Sequence, residues 1–142
     1  MNRNSKALAK RNNQIAKLEW YEFNQNNSGG KFTVNDSVCH RLFIQAVDAD
    51  DACSIAEGLG VYFNGCDEGI DCECCGDRWY RPYSATEFPL EYSKTQTFTN
   101  IEEYTQFLAD AYGWTVPDCR IYYKNGVVKD IFSSKKDLQK ND

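Results

Sequence analysis

Apolar residues in this chain fall into short segments with the pattern of half-buried β-strands. The segments comprise residues 18–23, 32–34, 41–47 and 61–63, and they are rich in aromatic and β-branched side chains. Such side chains fit the pleated surface of a sheet. We predict that the first two segments form a hairpin with a long loop. The last two are predicted to share one sheet, parallel in one arrangement and antiparallel in the alternative.

Two further segments carry apolar residues at the three-to-four-residue spacing of an amphipathic helix. The first begins after Asp48, a favourable N-cap, and ends at Gly60. The second begins at Thr99, which is predicted to form a capping box with Glu102, and it ends at Gly113. The apolar faces comprise Ala52, Ile55, Ala56 and Leu59 in the first helix and Ile101, Tyr104, Phe107, Leu108 and Ala111 in the second.

A second hairpin is predicted near the end of the chain. Residues 119–124 and 127–132 flank Asn125-Gly126, the pair that best tolerates the positive φ angles of a two-residue type I′ turn. Together these elements predict an α+β fold, in which a mixed, mostly antiparallel sheet packs against two helices.

Charge divides the chain into unlike parts. Residues 1–17 form a basic arm, for which a helix is one alternative. This arm contributes +5 to the net charge of −5, so the rest of the chain carries a charge of −10. The folded domain is expected at residues 18–132, followed by a polar tail at 133–142. Residues 47–77 hold nine acids and no Lys or Arg, a composition that repels nucleic acid. The arm is instead expected to contact an acidic partner, such as RNA or an acidic protein.

The hydropathy pattern predicts a cytoplasmic protein with no membrane partner. Apolar runs stay well below the ~20 residues of a membrane-spanning helix. The first residues also lack the continuous apolar stretch of a secretory signal. The chain has seven cysteines, an odd number, and nothing directs it to an oxidising compartment. Reduced thiols or a metal site are therefore favoured over a disulfide framework.

Four cysteines lie within ten residues of one another, namely Cys66, Cys72, Cys74 and Cys75. Cys72 and Cys75 form a C-x-x-C-G turn of the kind that directs two thiolates at zinc. We predict one structural zinc with Cys66, Cys72 and Cys75 as ligands. The fourth ligand is taken to be Cys74, Cys39 or His40, although the adjacent Cys74 and Cys75 do not easily bind the same ion. The alternative is no cofactor, with the thiols packed as small hydrophobes in a tight turn.

The residue pattern gives little support for a calcium site or for a catalytic cysteine and histidine pair. Asp67, Asp71 and Glu73 match no calcium-loop spacing, so solvated carboxylates are the better interpretation. His40 is the only histidine and sits beside Cys39. Neighbours on a strand point to opposite faces, which disfavours a nucleophile and base pair. No catalytic residue is predicted, and an enzyme is the less favoured class.

Polar groups that a core cannot use concentrate in two segments. The loop at residues 24–30 offers side-chain amides and a flexible Gly29-Gly30 that can grip a phosphate, a base or a peptide backbone. Residues 78–81 combine arginine with aromatic side chains that can stack on a base or hold an anion. The alternatives are a long hairpin loop and aromatic residues that face the core. The predicted binding residues are Asn24, Asn26, Asn27, Gly29, Gly30, Arg78, Trp79 and Arg81, and we expect the two segments to lie close together.

Two motifs resemble a family of small proteins encoded by tailed bacteriophages. They are W-Y-E-F-N-Q-N-N-S-G-G at residues 20–30 and G-x-D-C-x-C-C-G-D-R-W at residues 69–79. The resemblance spans about residues 18–83 and implies a phage accessory protein in the cytoplasm of an infected bacterial host. We therefore expect a non-enzymatic protein that binds a host protein or captures a small ligand, for example as an inhibitor of a host system. The alternative is a small enzyme or a zinc-stabilised nucleic-acid-associated module.

Overall fold

The computed structural model describes residues 17–135. The predicted basic arm, apart from Lys17, and the tail beyond residue 135 lie outside the described residues. The elements in chain order are β1 (Glu19–Asn24), β2 (Arg41–Ala46), α1 (Ala49–Gly58), β3 (Leu90–Ser93), β4 (Gln96–Phe98), α2 (Ile101–Ala111), β5 (Cys119–Tyr122) and β6 (Val128–Ile131). The predicted α+β class is confirmed.

The main sheet contains four strands in the order β1-β2-β5-β6. β1 pairs antiparallel with β2, β5 pairs antiparallel with β6, and the central β2 and β5 run parallel. β3 and β4 form a separate two-stranded sheet. Three consecutive residues of β2, Leu42, Phe43 and Ile44, are buried. Because successive side chains point to opposite faces, this strand has core on both sides.

One helix covers each face of the main sheet. Leu42 and Ile44 pack with Ala52 and Ala56, two small residues of α1, in one hydrophobic cluster. Phe43 on the opposite face belongs to a second cluster with α2. The predicted packing of a mostly antiparallel sheet against two helices is therefore confirmed. Among the described residues, no helix has the length and apolar character needed to cross a membrane.

Local capping residues define both helices. The Asp48 side chain accepts a hydrogen bond from the Asp51 backbone N–H at 2.8 Å, as predicted for the start of α1. The predicted capping box of α2 is wrong by one residue. Asn100 is the N-cap and accepts from the Glu103 N–H at 2.9 Å, while Glu103 accepts from the Thr99 N–H at 2.8 Å. Asparagine followed three residues later by glutamate satisfies the same capping requirement.

Two predicted strands are wrong. β1 pairs with β2 and not with residues 32–34. The Gln25 side chain donates to the Thr33 and Cys39 carbonyls, so the chain between β1 and β2 is held as a loop. Residues 61–63 form no strand. The Val61 N–H donates to the Ala56 carbonyl at 3.0 Å and so helps to end α1. The parallel neighbour of β2 is β5.

The hairpin between β5 and β6 is confirmed, but its predicted type I′ turn is wrong. Gly126 has a φ of +96°, whereas Asn64 is the only described non-glycine residue with a positive φ. The Gly126 N–H donates to the Tyr123 carbonyl at 3.0 Å, which gives a three-residue loop. The Asn125 side chain accepts from the Val127 N–H at 3.0 Å and holds its own backbone at negative φ.

Candidate binding surface and cysteine loop

The polar loop after β1 lies against residues 78–79. Gln25 and Trp79 form an isolated antiparallel bridge, and the Asn26 N–H donates to the Arg78 carbonyl at 2.7 Å. The Asn26 side chain donates to the Cys75 carbonyl at 2.7 Å and to the Asp77 carbonyl at 3.3 Å. The two predicted binding segments, about fifty residues apart in sequence, are therefore in contact, although a binding role for them stays a prediction.

Arg78 joins these segments through its guanidinium group. The group donates hydrogen bonds to four oxygen atoms, namely Gln25 Oε1 at 2.8 Å, Lys31 O at 2.7 Å, Ser28 O at 2.8 Å and Tyr62 Oη at 3.2 Å. The Arg78 backbone N–H donates to Asp71 Oδ2 at 2.8 Å. The donors that were predicted to hold an anion are thus occupied within the fold.

The remaining predicted binding residues divide by exposure. Trp79 is only 2 % exposed and belongs to the core on the α1 side of the sheet, which favours the core alternative over a stacking role. The Arg81 guanidinium lies 4.3 Å from the centre of the Phe63 ring and is exposed. The other exposed members of the set are Asn24, Asn27, Gly29 and Gly30.

Residues 72–76 form a tight turn that we call the cysteine loop. The Cys72 carbonyl accepts from the N–H groups of Cys75 at 3.1 Å and Gly76 at 3.0 Å, and Gly76 has a φ of +88°. The turn brings three exposed, reduced thiols, those of Cys72, Cys74 and Cys75, within 4.8 Å of one another. The Sγ atoms of Cys72 and Cys74 are 2.7 Å apart, and those of Cys74 and Cys75 are 3.7 Å apart.

The other predicted zinc ligands lie outside this group. Cys66 Sγ donates to the Cys72 carbonyl at 3.5 Å. Cys39 is fully buried, and its Sγ donates to the Arg41 carbonyl at 3.4 Å. His40 contacts Asp118. The structure thus brings Cys72 and Cys75 together with Cys74, and it does not bring Cys66, Cys39 or His40 to the same point.

Hydrogen bonding moves the pKa values of Cys72 and Cys74 in opposite directions. The Cys74 thiol and the backbone N–H groups of Cys74 and Cys75 stabilise a thiolate at Cys72 and lower its pKa. Hydrogen bonding with the Cys72 and Cys75 sulfur atoms raises the pKa of Cys74 to about 11. Burial and Asp77 raise the pKa of Cys66 to about 11. Cys72 therefore ionises more readily than Cys74.

A second polar cluster, which sequence analysis missed, surrounds the buried carboxylate of Asp118. Arg41 donates to Asp118 Oδ2 at 2.9 Å, and His40 Nδ1 lies 3.3 Å from Oδ1. The backbone N–H groups of Trp114 and Thr115 also donate to Oδ1. Burial alone raises the pKa of Asp118, but the hydrogen bond with His40 and the charge of Arg41 outweigh burial and lower the pKa. Asp118 thus fixes the loop that carries Trp114.

Above this carboxylate lies a row of aromatic side chains that we call the aromatic strip, comprising Phe32, His40, Trp114, Tyr112 and Tyr92. The His40 ring lies 4.8 Å from Phe32 and stacks on Trp114 at 5.2 Å and 12°. Trp114 and Tyr112 are 6.3 Å apart, and hydrogen bonding with Tyr112 raises the pKa of Tyr92. The rings of Phe32, buried His40, Trp114 and Tyr112 thus contact one another in sequence, and Tyr92 lies beside Tyr112 at the end of the row.

Charged and polar groups flank the aromatic strip. The Arg41 guanidinium lies 5.0 Å from the centre of the Tyr112 ring. Asn24, at the end of β1, pairs with Arg41 in the sheet and donates to Glu22 Oε2 at 2.7 Å. Burial raises the pKa of Glu22, although Asn24, Arg41 and His40 partly offset the effect. Asn24 is thus the member of the predicted binding set that lies beside the strip.

A groove of about 710 Å³ lies between the starts of β1 and α2. Its apolar wall includes Trp20, Phe88 and Tyr123, and the rings of Trp20 and Tyr123 meet edge to face at 5.2 Å. Glu87 and Glu102 line its rim. The volume falls in the range of pockets that hold small molecules.

Comparison with known protein families gives a match over most of the chain. The profile of a family described as a domain of unknown function (DUF7296) matches residues 18–139. No curated protein and no solved structure matches the chain.

Proposed function

We propose that this chain, which belongs to the DUF7296 family of domains of unknown function, is a non-enzymatic protein that binds another protein through the aromatic strip. The observation that carries this proposal is the exposure of three neighbouring aromatic residues. Tyr92 is 43 %, Tyr112 is 44 % and Trp114 is 60 % exposed. Single exposed apolar residues are ordinary, whereas a continuous group of them marks an interaction surface.

The residue types of the strip suit a protein interface. Trp, Tyr and Arg are enriched among the residues that contribute most to binding energy, and they cluster near the centre of interfaces. Here Arg41 lies against the Tyr112 ring and is oriented by Asp118. A partner that covers this area would remove large apolar surface from water while leaving the arginine paired.

The part of the strip around Trp114 and His40 is held in place by contacts within the fold. Asp118 accepts from the backbone of Trp114 and Thr115, and the Thr115 hydroxyl donates to the Pro117 carbonyl at 2.7 Å. His40 is held between Phe32 and Trp114. Side chains that are already ordered lose less conformational entropy on binding, so more of the contact energy appears as affinity.

Thiol chemistry at the strip is disfavoured by the surroundings of Cys39, the neighbour of His40. Burial raises the pKa of Cys39 to about 12. Its thiol donates to the carbonyls of Arg41 and Asp118 and is directed into the core. A protonated, buried thiol is a poor nucleophile. This environment supports binding over catalysis by a cysteine and histidine pair.

The resemblance to bacteriophage proteins supports a host protein as the partner, with inhibition of a host system as the outcome. The acid-rich body carries a net charge of −10 once the +5 of the first 17 residues is set apart from the total of −5. Such a charge disfavours nucleic acid and speeds association with a basic protein surface. We therefore propose a bacterial protein whose contact surface is apolar at its centre and basic at its rim.

The groove supports a second candidate function, the capture of a small ligand. Its apolar wall is built from Trp20, Phe88 and Tyr123. Lys129 contacts the Glu102 carboxylate at 2.6 Å, so part of the negative rim is already neutralised. Polar residues such as Glu19, Gln45 and Asn100 also line the groove, so a small molecule with an aromatic ring and polar groups is the chemical class that fits it.

The proposal can be tested by comparing matched aromatic substitutions. Immobilised protein would be used to capture partners from a bacterial lysate, and the captured protein would then be purified for calorimetric Kd measurement. Trp114→Ala should weaken binding by roughly 30-fold, or about 2 kcal/mol, as expected for a central aromatic residue. Tyr83→Ala is the control, because Tyr83 is 99 % exposed and lies outside the strip. It should change Kd by less than about threefold.

Two further measurements make the result decisive. Urea unfolding of each variant establishes that lost binding does not reflect lost folding, and sedimentation of the purified protein distinguishes a partner from a second copy of the chain. Equal Kd values for Trp114→Ala and the wild type would contradict the proposal. If Tyr123→Ala abolishes binding and Trp114→Ala does not, the groove is favoured as the binding site.

A further inference from the structure

The cysteine loop takes no part in the proposed protein contact, and it has the features of a metal site. Three exposed sulfur atoms, those of Cys72, Cys74 and Cys75, lie within 4.8 Å of one another. The tight turn at residues 72–76 brings these neighbouring thiols together. Thiolates are the ligands that soft and borderline cations such as zinc prefer.

One of the two measured spacings between the sulfur atoms matches that of a zinc thiolate centre. Zinc to sulfur bonds of about 2.3 Å in a tetrahedron separate the sulfur atoms by roughly 3.8 Å. Cys74 Sγ and Cys75 Sγ are 3.7 Å apart, although these residues are adjacent in sequence. Cys72 Sγ and Cys74 Sγ, at 2.7 Å, would have to separate by roughly 1 Å to reach that spacing. Both side chains are exposed, so rotation about their χ1 angles can provide this movement.

The backbone of the loop is held in place from both sides. The Cys72 carbonyl accepts from two N–H groups within the turn. The Asn26 side chain donates to the Cys75 carbonyl at 2.7 Å and connects the loop to the polar segment after β1. A Cβ atom on Gly76 would lie 3.1 Å from the Tyr80 hydroxyl, so the turn is also closely packed. Pre-ordered ligands lower the entropy cost of binding a cation.

The charge around the loop favours a cation. Asp67, Asp71, Glu73 and Asp77 all lie within residues 67–77, a segment that has no Lys or Arg. The Arg78 guanidinium is directed into its four hydrogen bonds with other parts of the chain. A divalent cation would offset the negative charge of three thiolates in this environment.

We propose that Cys72, Cys74 and Cys75 bind one zinc ion as three thiolates, with water or an external ligand in the outward fourth position. Binding involves no change of oxidation state, because three thiols release three protons and form three Zn–S bonds. All three cysteines are exposed, so the fourth position faces solvent. Cys66, with its thiol directed to the Cys72 carbonyl, is not a ligand in this proposal. The inference is independent of the function proposed for the aromatic strip.

The test uses the reduced full chain after removal of metal by a chelator. Zinc alone is titrated in competition with a chromophoric chelator, and cadmium is titrated separately to observe its thiolate charge-transfer absorption. We expect one equivalent of either metal per chain. Cys74→Ser should weaken zinc binding at least 100-fold, and Cys72→Ser should behave alike. Cys66→Ser is the matched control and should change the affinity less than threefold.

Alkylation of the remaining thiols, counted by mass spectrometry, gives an independent measurement. Zinc should protect three cysteines in the wild type and in Cys66→Ser, and peptide mapping should identify them as Cys72, Cys74 and Cys75. Circular dichroism establishes that each variant is folded. Less than a tenth of an equivalent of bound zinc would overturn the proposal. Binding that Cys66→Ser abolishes and Cys74→Ser leaves intact would overturn the ligand assignment.

Discussion

Replacing Arg78 by alanine removes the side chain that connects three separate parts of the chain. Its guanidinium donates to Gln25, to the carbonyls of Lys31 and Ser28, and to the Tyr62 hydroxyl. Each hydrogen bond from a charged donor contributes roughly 1.5–3 kcal/mol, but the contributions do not add. The carbonyl of exposed Lys31 regains a water molecule after the substitution.

The cost is therefore dominated by the acceptors on two buried residues, Gln25 and Ser28. Gln25 is buried, and its Oε1 atom would keep only the hydrogen bond from the Thr33 N–H. A buried acceptor that loses a partner costs about 1–3 kcal/mol, and the other lost contacts add to this. We expect Arg78→Ala to lower the free energy of unfolding by about 3 kcal/mol. For a domain of this size that corresponds to a fall in Tm of roughly 10 °C.

Arg81→Ala provides the matched control for the urea and thermal unfolding measurements. Arg81 lies three residues away, is exposed, and contacts the Phe63 ring through its guanidinium at 4.3 Å. An exposed contact of this kind is worth about 0.5–1 kcal/mol. If Arg78→Ala and Arg81→Ala destabilise the protein equally, the assignment of Arg78 as the connection between these segments is refuted.

Two further predictions concern polar residues next to the proposed sites. Asn26→Ala should lower the free energy of unfolding by about 1–2 kcal/mol, because the Cys75 and Asp77 carbonyls lose a hydrogen-bond donor. Asn27→Ala is the control and should lower it by less than about 0.5 kcal/mol. Equal losses for the two variants in urea unfolding would contradict this prediction. The pKa of Glu22 is raised by burial, so its ionisation opposes folding as the pH rises above its unfolded value of about 4.3. Glu22→Gln should therefore stabilise the protein at pH 7 relative to pH 4, and a pH-independent effect in unfolding experiments would contradict a raised pKa for Glu22.

Elements governed by neighbouring residues could be predicted from the sequence. The cap at Asp48 and the hairpin around Asn125-Gly126 depend on contacts within a few residues. The failures arose where a backbone group has a competing local partner. Val61 donates its N–H to the end of α1 and so does not extend into a strand. Pattern analysis detects apolar alternation, but it does not detect such a competing hydrogen bond.

The candidate sites show the same dependence on sequence distance. The three thiols of the cysteine loop lie within one turn, so their proximity could be expected from sequence. The Cys66 thiol instead donates a hydrogen bond to the Cys72 carbonyl, a contact that sequence spacing does not indicate. His40 and Asp118 are 78 residues apart and meet only because β2 and β5 are parallel neighbours. No local spacing indicates that meeting. The aromatic strip therefore could not be predicted without the sheet topology.

The most direct test of the proposed binding function uses the three tryptophans of the chain as separate reporters. Trp114 lies in the aromatic strip, Trp20 lines the groove and Trp79 is buried in the core. Protein labelled with 5-fluorotryptophan would be observed by fluorine NMR, with each resonance assigned by a Trp→Phe variant, during titration with the purified partner. The Trp114 resonance should shift or broaden in proportion to complex formation, while those of Trp20 and Trp79 stay in place. A titration that moves the Trp20 resonance and leaves the Trp114 resonance unchanged would contradict binding through the aromatic strip.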